Sequence, residues 1–351
     1  MKQRNHYLDV LRVLACFLIV GVHVSAFNID DQQLGSFNFL ITNAYDCLSI
    51  IGVPLFVMIS GALLLNPDYE ISLSKLLGNK CLRLLTAYFG WLLFYNIINC
   101  YQEGYGYSWM SVKHNVFLET LLGRGIYHLW FLPMLAGLYL ILPFLKSFAK
   151  DKKLCEYFLI LYTVIVIVLP TLLKFNFRFK TIVSSLYERI PFVMITGYVG
   201  YFVLGHYLHY FVKKLSGKQI ISISLIGLIA FNIGHLICFQ DSIRQGELST
   251  ILNDPYALND YLSAIAIFLL VKQFGDSRPH PKAAWFARYT FGVYLAHPFF
   301  LMVTGWFGLN TLFLPALFSI PICVVLVVVA SFCLTWLLSK IPFVNHYLVH
   351  M

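Results

Sequence analysis

Residues 7–27 read YLDVLRVLACFLIVGVHVSAF. The stretch is apolar and long enough to cross a hydrocarbon core of about 30 Å as a single helix, which takes roughly 20 residues. Asp9, Arg12 and His23 interrupt it. Such side chains are costly at membrane depth, so where they occur they face a partner or a cavity and mark function. A cleavable secretory signal is the competing reading, because Lys2 and Arg4 precede the run and Val24-Ser25-Ala26 loosely fits a cleavage site. A signal core is plain apolar, whereas this one carries an acid, a base and an imidazole, and many further apolar runs follow it. The stretch is therefore read as a retained first transmembrane helix.

The rest of the chain agrees with that reading. Of its 351 residues 59% are hydrophobic and 12% charged, against about 25% charged in a soluble domain. Further apolar runs fall at roughly 43–66, 82–101, 127–146, 154–173, 190–212, 219–239, 256–275, 284–307 and 313–338. The gaps between them are short and polar, leaving no segment able to bury a core of its own. The expectation is an all-α integral membrane protein of about ten transmembrane helices in one bundle. Residues 1–351 then form a single transmembrane domain with no soluble domain.

An even number of spans puts both termini on one side, and cytoplasmic loops hold an excess of Lys and Arg. With the N-terminus inside, the inner segments collect Lys2, Arg4, Lys75, Lys80, Arg83, Lys146, Lys150, Lys152, Lys153, Lys213, Lys214, Lys218, Lys272, Arg278, Lys282, Arg288 and Lys340. The outer ones hold only Lys113, Arg124, Lys174, Arg178, Lys180, Arg189 and Arg244. Both termini are expected to be cytoplasmic, and the net charge of +9 reads as a topology signal. No basic patch lies outside the membrane-flanking loops, so nucleic acid is not an expected partner. The eight cysteines lie mostly within apolar runs and form no C-x-x-C pair, which fits neither a zinc site nor a disulfide framework.

The polar residues within the spans form four constellations. Arg12 and His23 are about three full helical turns apart, so they project from one face about 16 Å apart, with Asp9 within about 60° of it. In a bland reading Asp9 merely pairs with a snorkelling Arg12 and His23 is a satisfied core histidine. Lys80 and Arg83 open the third span on the same side as Arg12. They either anchor the helix in anionic headgroups or join Arg12 in holding the phosphates of a nucleotide-bearing donor. The third constellation is His128-Leu129-Trp130-Phe131, where Trp130 also suits an interfacial belt. The fourth is Tyr294 with His297, i,i+3 neighbours roughly mid-membrane, followed by Pro298, which frees a backbone carbonyl.

A neutral membrane histidine can act as a general base. Acyl transfer from a thioester to a hydroxyl needs such a base, a held donor and an oriented acceptor. The 16 Å estimated between Arg12 and His23 from helix rise is comparable to an extended phosphopantetheine arm. Coenzyme A phosphates on the inner cations would then place the thioester near the imidazole.

On these residues the chain resembles the acyltransferase-3 family of membrane acyltransferases. The Arg12-x10-His23 helix with its Asp9-x-Leu11-Arg12 lead-in resembles the family's opening. Val53-Pro54-Leu55-Phe56-x-Met58-Ile59-Ser60-Gly61, His128-x-Trp130-Phe131 and Tyr294-x-x-His297 follow in the family's order. The resemblance implies a bundle of about ten helices that moves an acetyl, or sometimes succinyl, group from acyl-coenzyme A to a hydroxyl of an exported glycan. The implied catalytic residues are His23 and Arg12. Donor contacts would come from Arg12, Lys80 and Arg83, with Asp9, His128, Trp130, Tyr294 and His297 orienting groups or lining the passage. The family often shows Arg-x-x-Arg where this chain has Lys80-x-x-Arg83, so the charge survives without the bidentate fork at position 80.

No permanently bound cofactor and no metal is implied. The resemblance implies acetyl-coenzyme A, or another acyl-coenzyme A, as the co-substrate, a glycan or lipid-linked glycan as the acceptor, and the bacterial cytoplasmic membrane as the location. The size resembles the family's stand-alone members, which have no fused extracytoplasmic domain. A sugar or polysaccharide-repeat exporter is the rival class, although neither inverted repeats nor paired broken helices are evident. A different membrane acyltransferase fold using Asn and His together would have only Asn232 and His235 to draw on.

Overall fold

The computed structural model describes residues 5–67, 72–102, 112–189, 197–275 and 279–349. Lys2, Arg4 and Arg278, which entered the charge-bias argument, and residues 190–196 of one expected span lie outside the described residues. All regular structure among the described residues is helical. In chain order the main helices are α1 (His6–Ala26), α2 (Phe37–Ser49), α3 (Gly52–Leu64), α4 (Leu73–Gln102), α5 (Tyr127–Leu140), α6 (Leu142–Ala149) and α7 (Lys152–Leu173). They are followed by α8 (Lys180–Arg189), α9 (Val199–Tyr210), α10 (Gly217–Gln245), α11 (Leu258–Gly275), α12 (Pro281–Ala287), α13 (Thr290–Trp306) and α14 (Ala316–Leu338).

Among the described residues, six segments are long and apolar enough to cross a membrane: α1, α2 joined to α3, α4, α7, α10 and α14. The α5–α6 pair makes a seventh if it counts as one span, bent by 55°. Pro143 accounts for the bend, because it has no N–H to continue the ladder across the break at Ile141. Three of the expected spans form helices that do not meet the same test. The helices α9 and α13 have 12 and 17 residues, and α11, with 18, carries Asp260 in its first turn and Lys272 in its last. A 12-residue helix rises about 18 Å, short of a hydrocarbon core of about 30 Å. These three lie inside the bundle with half or more of their residues buried, where protein neighbours rather than lipid set length and polarity. By contrast α10 exposes Leu225, Leu228, Ile229, Ile233 and Leu236, an apolar face suited to lipid.

Close helix approach explains the innermost contact. A Cβ on Gly61 of α3 would meet the Phe202 carbonyl at 1.8 Å, and one on Gly205 of α9 would meet the Met58 carbonyl at 1.9 Å. The two helices therefore cross backbone to backbone through reciprocal glycine notches, the device by which small residues let membrane helices pack. The main core draws on α1, α3, α4, α5, α9, α11 and α13 through residues such as Leu11, Leu55, Leu92, Leu132, Phe202, Phe268 and Leu295. A second cluster joins Cys16, Val20 and Val24 of α1 to Val293, Ile320 and Val327 of α13 and α14. The first helix is thus held on two sides by apolar packing. Cys333 is exposed and the other seven cysteines are buried.

Candidate active site

The cationic end of α1 opens into a cavity of about 360 Å³. Arg12 and Ile19 contribute from α1, Phe56 and Ser60 from α3, and Lys80 from α4. The opposite wall comes from Phe131 and Tyr139 of α5 and from Arg288, Thr290 and Tyr294 around the start of α13. Three cations, Arg12, Lys80 and Arg288, therefore face one space. Lys80 sits in a π-helical stretch, Leu76–Cys81, that widens the start of α4; such turns re-aim side chains and recur at functional sites. Asp9 is buried and lies 3.8 Å from the Arg12 guanidinium, so it braces the cation at the cavity wall.

From Arg12 the cavity follows α1 to Ile19, one helical turn short of His23. Tyr294 closes the gap between cavity and imidazoles. It lines the cavity and its ring lies 5.5 Å from that of His128 and 6.0 Å from that of His297. Beyond it, His297 stacks on His23 with ring centroids 5.0 Å apart and planes 20° from parallel. His128 meets His297 edge-on at 5.2 Å, and Tyr127 contacts His23 at 5.0 Å. Three imidazoles from α1, α5 and α13 thus form one cluster, of which His23 is the partly exposed member and the other two are buried.

Pro298 sets the chemistry of that cluster. Having no N–H, it leaves the carbonyl four residues back, that of Tyr294, without its helical donor. His297 Nδ1 lies 2.6 Å from that carbonyl. A carbonyl only accepts, so Nδ1 carries the proton and Nε2 keeps its lone pair. Nε2 is buried with no hydrogen-bond partner among the described residues, as are both ring nitrogens of His128. Tyr95 donates to the Leu295 carbonyl at 2.7 Å, and the Tyr294 hydroxyl donates to the His128 backbone carbonyl. These bonds tie α4, α5 and α13 together around the imidazoles.

The remaining sequence candidates fall elsewhere. Arg83 is turned to His346, with Nη2 2.7 Å from Nδ1, and is not part of the cavity wall. Trp130 is half exposed and packs on Tyr198 at 5.5 Å. Asn232 bonds back to the Leu228 carbonyl and His235 stacks on Phe231, so the alternative Asn–His pair converges on no cavity.

Three participants were not singled out from the sequence. Arg288 had counted only as a loop cation, and Tyr95 and Tyr127 look like any other interface aromatics. Asp46 of α2 is a fourth omission: its carboxylate accepts from Ser25 Oγ at 2.8 Å and from Asn253 Nδ2. An acid inside an apolar run was the available signal for Asp46, and for Arg288 its place two residues before the Thr290 motif. Only the corner between α12 and α13 brings Arg288 to the cavity.

A cation-lined cavity within a helical bundle, with a cluster of three imidazoles just beyond its Tyr294 wall, is the arrangement the described residues form. Residues 5–340 match the acyltransferase domain model of the acyltransferase-3 family, and the chain belongs to that family. No curated protein and no solved structure matches it. The protein is a membrane acyltransferase.

Proposed function

We propose that the protein is an O-acetyltransferase of the bacterial cytoplasmic membrane. It moves acetyl from acetyl-coenzyme A to a hydroxyl of a cell-surface polysaccharide or its lipid-linked precursor, with both termini cytoplasmic. The observation that carries this reading is the succession of a three-cation cavity on α1, the Tyr294 ring that walls it, and the His297 and His23 rings stacked behind that wall. Arg12, Lys80 and Arg288 hold the donor's phosphates, where charge-assisted hydrogen bonds are the strong ones. Asp9 positions Arg12. The pantetheine arm extends along Ile19 toward Tyr294.

His23 removes the proton from the acceptor hydroxyl as its oxygen attacks the thioester carbonyl carbon. The carbon–sulfur bond breaks, and the proton passes from His23 to the leaving thiolate, so the products are an ester and free coenzyme A. His297 is a positioning residue: its ring holds the His23 imidazole face to face, and its Nδ1 proton is committed to the Tyr294 carbonyl. His128 closes the far side of the cluster.

The test is release of free coenzyme A by purified protein in nanodiscs supplied with acetyl-coenzyme A and a glycan extract. Wild type releases it, and His23→Ala lowers the rate by about 10²–10⁴, the usual contribution of a positioned general base, while still binding the donor. A well-folded His23→Ala protein that releases coenzyme A at the wild-type rate overturns the assignment.

A further inference from the structure

Arg83 belongs to a second feature. After α14 the chain forms a short helix, Pro342–Val344, and a wide turn, Asn345–Val349, that lies back along α4. Trp91 Nε1 donates to the Leu348 carbonyl at 2.9 Å, and Thr86 Oγ1 to the Tyr347 carbonyl at 3.3 Å. Between α4 and this segment runs an open groove of about 660 Å³, walled by Leu82, Leu85, Phe89, Phe343, Tyr347 and Leu348. Leu82, Leu85, Phe89 and Phe343 are exposed there. Beside it stand Arg83 and His346, hydrogen-bonded to each other.

The charge beside this groove has no acid near it in sequence. None of the 16 acidic residues falls in 72–102 or 279–351, so neither wall supplies an acidic side chain. A guanidinium that donates to a neutral imidazole keeps its full positive charge. The feature therefore asks for an anion joined to a hydrocarbon tail. A coenzyme A nucleotide meets the charge but not the apolar wall. A membrane phospholipid meets both, and it surrounds the protein in large excess.

We infer that the groove is a binding site for an anionic glycerophospholipid, with one acyl tail between α4 and the C-terminal segment and the phosphate on Arg83 and His346. The groove is open along its length, so the second tail stays in the bilayer. The bound lipid staples the C-terminal segment to α4, on the helix that carries Lys80 into the cavity.

Native mass spectrometry of the full-length protein, released from nanodiscs of equimolar phosphatidylglycerol and phosphatidylcholine with matched tails, tests this. One phosphatidylglycerol should be retained in preference by about fivefold, the factor that one basic side chain near an anionic lipid contributes. Arg83→Gln and the groove-filling Leu85→Trp should each abolish the preference, and Arg83→Lys should keep most of it. Equal retention of the two lipids by wild type overturns the inference whether or not any variant folds. So does a preference unchanged in both Arg83→Gln and Leu85→Trp. A third arm adds a polyprenyl phosphate: if it displaces phosphatidylglycerol, the site is not a glycerophospholipid site.

Discussion

The imidazoles of His23 and His297 lie face to face, 5.0 Å between centroids, although one ends the first helix and the other sits in the penultimate long one. If stacking is what positions His23, a flat ring at 297 should suffice for part of the rate. His297→Phe is expected to stay within about tenfold of wild-type turnover, and His297→Ala to fall by about a hundredfold, the scale of a 1 Å misplacement of a reacting group. Both lose the donor to the Tyr294 carbonyl, at about 1–3 kcal/mol for an unsatisfied buried acceptor, and Ala should lose more because it also leaves a cavity where the buried ring stood. Equal turnover of the two variants, measured by coenzyme A release, would remove the positioning role.

Arg288 shares the cavity with Arg12 and Lys80. Replacing it with Ala should raise the KM for acetyl-coenzyme A by about tenfold, as expected for loss of a hydrogen bond to a charged group worth about 1.5–3 kcal/mol, with kcat little changed. Acetyl-pantetheine, which has no nucleotide phosphates, should be turned over with the same KM by wild type and Arg288→Ala. A KM increase of the same size for both substrates would mean that Arg288 shapes the cavity rather than contacting phosphate.

How far the sequence led toward this site depended on how local the signal was. Arg12 and His23 share one helix, so a constant turn of about 100° per residue puts them on one face; Arg12 lines the cavity and His23 meets His297. His297 and Tyr294 likewise sit one turn apart, with Pro298 announcing the free carbonyl that His297 then takes. Arg83 shows the limit. Regular α-helical spacing puts Lys80 and Arg83 on one face, but the π-helical stretch Leu76–Cys81 ends between them and the returning C-terminal segment supplies His346. Lys80 therefore lines the cavity while Arg83 bonds His346. Span counting met a similar limit, because α9, α11 and α13 are enclosed by other helices and are freed from the length and apolarity that lipid imposes.

The notches at Gly61 and Gly205 make a prediction about assembly rather than chemistry. A methyl group at either position would overlap backbone carbonyl carbon and oxygen of the facing helix, and backbone cannot yield as a flexible side chain can. Gly61→Ala and Gly205→Ala should each cost several kcal/mol, in the range of overpacked cores, and lower the yield of monodisperse protein. Gly217→Ala, where an added Cβ meets nothing within 4 Å, is the matched control and should behave as wild type. Size-exclusion profiles and thermal unfolding in the same detergent decide it. A stable Gly61→Ala would show that α3 and α9 can part without loss.

Asp46 holds the end of α1 that carries His23. Its two carboxylate oxygens accept from Ser25 Oγ and from Asn253 Nδ2, and Ser25 lies two residues beyond His23. An Asn at position 46 keeps the shape but has one acceptor oxygen, so its own NH₂ must face one of the two donors. Asp46→Asn is expected to destabilise the protein by about 1–3 kcal/mol, the cost of one buried unsatisfied pairing. Asn253→Asp in that background offers a carboxylate acceptor to the new amide and should recover part of the loss, and the double-mutant cycle measures the coupling. Because Ser25 and His23 point from different faces of α1, turnover per folded molecule should fall less than in His23→Ala. If Asp46→Asn instead abolishes coenzyme A release in protein that remains fully folded, Asp46 takes part in the reaction, and the buried bond to Ser25 has to be redrawn as part of the site rather than its support.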